Sequence, residues 1–151
     1  MSPLNILIID DNLNNLYTLQ CILEQVSGLE IFQASSGKEG LAHLEEHPID
    51  LILVDIQMPE MNGFEFANTV YESEKFREIP LIFLTAYFKS DEFESRGYRL
   101  GAFDYLTKPI DEHRLLNKIH LYNKLHQKNQ ELRDANRKLS EAYRELKDKS
   151  H

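Results

Sequence analysis

Cysteine is nearly absent from this chain. The single Cys21 has no partner within it, so no disulfide framework holds the fold and a reducing, cytoplasmic setting is expected. Cys21 lies in an apolar helical pattern and reads as a small core residue. Long hydrophobic runs are missing as well: none approaches the roughly 20 apolar residues that cross a bilayer, and no N-terminal stretch has signal-peptide form. Neither a membrane span nor a secretory leader is expected. Clustered positive charge is the third absence. Residues 1–110 carry 7 Lys/Arg against 18 Asp/Glu, and residues 111–151 carry 10 against 7, so a part at −11 precedes a part at +3 within a net charge of −8. An acidic body repels phosphate backbones and the bases of the tail alternate with acids, so direct nucleic-acid binding is not expected.

What is present is a regular alternation. Five short apolar runs, Asn5–Asp10 (NILIID), Leu29–Ala34 (LEIFQA), Asp50–Asp55 (DLILVD), Pro80–Thr85 (PLIFLT) and Ala102–Leu106 (AFDYL), are separated by helical segments. Most are too continuously hydrophobic to have one wet face, which is the mark of parallel strands covered by helices on both sides, a doubly wound α/β sheet. Helices are expected over Asn14–Val26 with Gly28 as a stop, Gly37–Glu46 after the caps Ser35 and Ser36, Gly63–Glu74, and Ser90–Leu100 closed by Gly101. A chain of 151 residues suffices for one domain with its own core.

The fifth helix starts after Pro109 and meets no Gly or Pro through His151, so it is expected to run about 35 residues, roughly 50 Å. Leu125, Leu132, Leu139 and Leu146 recur every seventh residue, with Tyr122, Asn129, Asn136 and Tyr143 at the companion position. Leu at d with Asn at a favours a parallel dimer. Lys128 and Arg133, at g and the following e, repel across such a pair, so its affinity is expected to be modest. A solvated single helix is the alternative. No stop signal closes this helix, from which we expect the chain to be a piece of something longer.

Strand one ends in Asp10-Asp11 and strand three in Asp55, so a parallel sheet gathers these carboxylates at one edge, where ligands of open α/β sheets bind. Clustered acids repel unless a cation joins them, and Mg²⁺ suits one or two carboxylates plus phosphate oxygens. Alternatively, Asp-Asp-Asn only caps the turn into the first helix. Strand four closes with Thr85 and small Ala86, and strand five runs into Thr107-Lys108-Pro109, adding a hydroxyl and an ammonium to the same edge.

The blocks ILIIDDN, LILVDIQMPEMNG, IFLTA and GAFDYLTKP, in this order over about residues 4–120, resemble those of response-regulator receiver domains. The resemblance implies a flavodoxin-like sheet of order 2-1-3-4-5 with five helices; together with the long last helix and its heptads read above, the chain is expected to divide into a receiver at 1–120 and a coiled-coil extension at 121–151. It implies that Asp10, Asp11, Asp55 and the Gln57 carbonyl hold Mg²⁺, and that Asp55 accepts a phosphoryl group from a sensor histidine kinase or phosphotransfer protein. Thr85 and Ala86 then meet the phosphoryl group, Lys108 is its counter-charge, and a cis bond before Pro109 aims that ammonium. Losing Lys108 is expected to weaken signalling more than folding. Tyr105 is implied as the switch partner of Thr85, read out on the face of the fourth helix, fifth strand and fifth helix; an ordinary half-buried aromatic is the other reading. Tyr87 and Gln57 flank the expected path of water to the acyl phosphate. No catalysis beyond the chain's own phosphorylation and dephosphorylation is implied. Aspartate-nucleophile phosphatases resemble the chain less, because their second Asp lies two positions beyond the nucleophile, and a binding-only receiver would not need the full set of acids, hydroxyl and lysine.

Overall fold

Strands without a wet face must be covered on both sides, and that requirement organises this chain. The computed structural model describes residues 2–86 and 104–149. Its elements are β1 (Leu4–Ile9), α1 (Leu13–Leu23), β2 (Leu29–Ala34), α2 (Gly37–Glu46), β3 (Leu51–Asp55), α3 (Gly63–Glu72), β4 (Leu81–Thr85), β5 (Asp104–Thr107) and α4 (Glu112–Lys149). The strands form one parallel sheet of order β2-β1-β3-β4-β5, as expected. Alternate residues serve opposite layers: Leu7, Ile9, Ile52, Val54 and Phe83 pack toward Phe64 and Phe66 of α3 and Leu44 of α2. Ile6, Ile8, Leu53, Ile82 and Leu84 pack toward Leu16 and Leu19 of α1 and Leu115 and Ile119 of α4.

Four helices stand among the described residues, against five expected. The expected helix Ser90–Leu100, the stop Gly101, Tyr87 and the start of the strand expected at Ala102 lie outside the described residues. Side-chain caps open the helices. Asn12 Oδ1 accepts from the amides of Asn14 and Asn15, Ser36 Oγ accepts from Glu39, and Asn62 and Glu65 form a reciprocal capping box. Gly28 occupies φ +81°, a conformation that favours glycine, and its carbonyl accepts the first amide of β1.

Cys21 corrects an expectation, because it is exposed. At about 100° per residue it sits nearly opposite Leu19, while Leu16, Leu19, Ile22 and Leu23 share the buried face.

α4 runs 38 residues, about 57 Å. Asp111 Oδ1 accepts the Arg114 amide at its start, and Lys118 Nζ donates to both oxygens of Asp104 at 2.7 Å. Tyr122 packs partly against the core beside α1, so this member of the expected seam is committed to its own domain. His126 Nδ1 then lies 3.7 Å from Asp50 Oδ1 before β3, and Gln130 Nε2 donates to Ser2 Oγ. Beyond this point the helix leaves the sheet: Leu132, Leu139, Tyr143 and Leu146 are each more than 60 % exposed. No described helix is long and apolar enough to cross a membrane.

Candidate functional site

The carboxyl ends of β1, β3, β4 and β5 bring Asp10, Asp55, Thr85 and Lys108 to one rim of the sheet. Asp10 is fully buried just past β1, and Asp55 and Thr85 are buried as the last residues of β3 and β4. Asp11 is exposed at the mouth, as is Ala86 just beyond Thr85. Lys108 Nζ lies 3.1 Å from Asp10 Oδ2 and 3.2 Å from Asp55 Oδ1, so one ammonium bridges two carboxylates that arrive 45 residues apart in sequence. Its backbone amide donates to the Thr85 carbonyl at 2.7 Å, tying the lysine to the end of β4. The Lys108–Pro109 peptide is cis, as the resemblance implied.

Burial lifts the Asp55 carboxyl above the usual carboxylate range, and the negative charge of Asp10 adds to the rise, while Lys108 and the Gln57 amide oppose it. For Lys108, burial works to discharge the ammonium. The hydrogen bond to Asp10 and the charges of both acids outweigh it, so its pKa lies above the usual lysine value. The rim therefore carries more negative charge than one lysine neutralises.

Asp10, Asp11 and Asp55 each offer an oxygen, all within 4.8 Å of one another. Three hard oxygen donors with one open side fit a small divalent cation that keeps waters. The cap and the acid cluster are geometrically compatible. Asn12 caps α1, its amide donates to Asp10 Oδ1 at 2.9 Å, and Asp10 is left with its other oxygen for Lys108.

Tyr105 lies on β5 opposite Phe83 in register and is exposed, its amide donating to Asp104 Oδ1. The Gln57 amide approaches Asp55 Oδ1 at 3.4 Å. Sequence reasoning missed Gly63. A Cβ there would come within 2.6 Å of the Asp55 carbonyl oxygen and 2.8 Å of Ile56 Cα, and the Gly63 amide donates to the Ile56 carbonyl. The Met-Asn-Gly run after the β3 block carried that signal. Gly63→Ala is expected to cost about 2 kcal/mol, as overpacking against rigid backbone does, read as a lower denaturant midpoint at unchanged slope.

A parallel five-stranded sheet with an acid-lysine rim at its carboxyl edge defines a doubly wound α/β domain whose ligand-binding edge is that rim. The family model described as the response regulator receiver domain matches residues 6–120, and the chain belongs to that family. Its receiver is that of a two-component response regulator, and receivers of this family interact with histidine kinases or phosphotransfer proteins and bind Mg²⁺ at the acidic pocket. Over 123 residues the chain is 41% identical to a protein of Vibrio cholerae named probable cyclic di-GMP phosphodiesterase, a match covering 81% of this chain and 27% of that protein. The chain thus corresponds to about a quarter of that relative. Protein PilH of Pseudomonas aeruginosa is 38% identical over 115 residues, 76% of this chain and 93% of PilH. The chemotaxis protein CheY4 of Vibrio cholerae superposes with a TM-score of 0.74 at 27% identity, covering 80% of this chain and 99% of CheY4.

Proposed function

We propose that this chain is a phosphorylation switch in which Asp55 accepts a phosphoryl group from a histidine kinase or phosphotransfer protein in the cytoplasm. The observation that carries the reading is the Lys108 ammonium held 3.2 Å from Asp55 Oδ1 and 3.1 Å from Asp10 Oδ2. A carboxylate oxygen of Asp55 forms the bond to phosphorus, the bond from phosphorus to the donor's imidazole nitrogen breaks, and its electron pair leaves with that nitrogen. Two anions must meet for this to happen. Lys108 supplies a mobile point charge that can follow the phosphoryl oxygens, and Asp10 holds the ammonium in place when the group has not yet arrived. Asp10, Asp11, Asp55 and the Gln57 carbonyl would hold Mg²⁺, which when bound offsets charge on the phosphoryl oxygens.

Thr85, buried at the end of β4, is the hydroxyl that then bonds the phosphoryl group beside Ala86, and Tyr105 is the side chain that responds. Tyr105 is exposed in this structure, which fits the resting position of such a pair. The reading divides the chain into a receiver at 1–120 and an extension at 121–151, with α4 passing without a break between them. Through Leu125, Asn129, Leu132, Asn136, Leu139, Tyr143 and Leu146 the extension pairs weakly in parallel with a second copy, and the switch face passes its change along α4 to an output outside these 151 residues.

Incubation with acetyl phosphate and Mg²⁺ is expected to add the mass of one phosphoryl group, with none added to Asp55→Asn. Equal uptake by the variant would refute the assignment of Asp55.

A further inference from the structure

The distal part of α4 poses a physical problem that a second copy solves poorly. Past Gln130 the helix leaves the sheet, with Arg133 still lining the groove that Pro48 and Asp50 also line, and it presents Leu132, Leu139, Tyr143 and Leu146 in one exposed row. A row of large apolar side chains left in water on a helix that has quit its own core is the kind of surface a second helix covers. The charges beside the row decide which one. In the heptad set by Leu at d, positions e and g from 126 onward hold His126, Lys128, Arg133, Lys147 and Lys149, with Ala135, Ser140 and Ala142 between them. No acid occupies either position. Glu131, Asp134, Glu141, Glu145 and Asp148 all fall at c or f, on the outer face. Lys128 is 3.9 Å from Glu131 of its own helix, and that exposed contact leaves its charge largely available.

In a parallel self-pair Lys128 meets Arg133 of the other copy twice, and no e–g contact is attractive; an antiparallel self-pair again sets bases against bases or neutral residues. We infer that the exposed seam of α4 is built for a different helix: a parallel one with Leu at d, Asn opposite Asn129 and Asn136, and Glu or Asp at e and g. This inference rests on the coiled-coil reading of α4 given above. The asparagines fix register by pairing across the axis, the acids pair with Lys128, Arg133, Lys147 and Lys149, and the self-pair is the weaker competitor that the acidic helix displaces.

Two synthetic peptides of about four heptads test it, sharing Leu at d and Asn at the two a positions and differing only in Glu or Lys at e and g. Each is titrated into the full chain and followed by sedimentation and helicity. The Glu peptide is expected to form a one-to-one complex about tenfold tighter than the Lys peptide, to lose that margin in high salt, and to dissolve any self-pair. In the Lys128→Glu, Arg133→Glu double variant the preference shifts toward the Lys peptide. If the chain self-pairs while both peptides bind equally, or the Glu peptide fails to displace the self-pair, the acidic partner is wrong and the coiled coil stands. A chain that stays monomeric and binds neither peptide overturns the coiled-coil reading itself.

Discussion

Replacing Lys108 by methionine is expected to lower the thermal midpoint of the metal-free protein by about 5–10 °C, and to slow phosphoryl uptake by about a hundredfold. Asp10 and Asp55 are almost completely buried and share this one ammonium. Removing one partner of a buried ionic group costs about 3–5 kcal/mol; because Lys108 keeps about a fifth of its side chain in solvent, about 2–3 kcal/mol is the appropriate range here. Saturating Mg²⁺ should return most of the lost stability, since a divalent ion among the same oxygens replaces the missing charge, while the rate deficit should persist. The expectation that losing Lys108 weakens signalling more than folding therefore belongs to the metal-loaded protein. A midpoint unchanged within about a degree in metal-free buffer would show that the ammonium does not compensate these acids.

Asp55→Asn is expected to move stability the other way, raising the metal-free midpoint at neutral pH by a few degrees. Burial and the neighbouring Asp10 raise the Asp55 pKa in the folded protein, so the native state holds that proton more tightly than the unfolded chain. Between the usual carboxylate range and the raised folded value, stability falls as pH rises, and above both it stays lower by the full amount. The amide escapes this loss. Its advantage should accordingly vanish as pH drops below the usual carboxylate range, where Asp55 is protonated in both states. Mg²⁺ at a hundredfold over its dissociation constant should stabilise the parent chain by about 2.7 kcal/mol and the variant by much less. A variant less stable than its parent at neutral pH, or one that gains equally from Mg²⁺, would contradict the electrostatic account of this rim.

Why these residues were legible in the sequence, and others were not, follows from the range of the interactions involved. Asp10, Asp55, Thr85 and Lys108 stand at the carboxyl ends of β1, β3, β4 and β5, and a parallel sheet places every such end on the same rim, so period and topology together locate them. Continuous apolar runs likewise locate the sheet, with the bounds of β1 to β4 within a residue of those expected. Cys21 sits in an apolar segment that points to the core, but its helical angle sets it nearly opposite Leu19 and turns it to solvent. His126 against Asp50 and Gln130 against Ser2 join residues distant in sequence through side chains alone, and no local pattern announces such a pair. The heptad reading therefore began the seam at Tyr122, whereas the structure keeps that ring on its own domain. The constraint on Gly63 is the backbone of Asp55 and Ile56 pressing on the place of its missing Cβ, a contact that the local sequence does not display.

The most direct measurement of the central claim is to trap the acyl phosphate. After incubation with a small-molecule phosphodonor and Mg²⁺, borohydride reduction should convert the modified side chain to an alcohol, and peptide sequencing should find the reduced residue at position 55. Reduction at Asp10 or Asp11, or at no acid of this rim under conditions where the protein takes up phosphate, would contradict it.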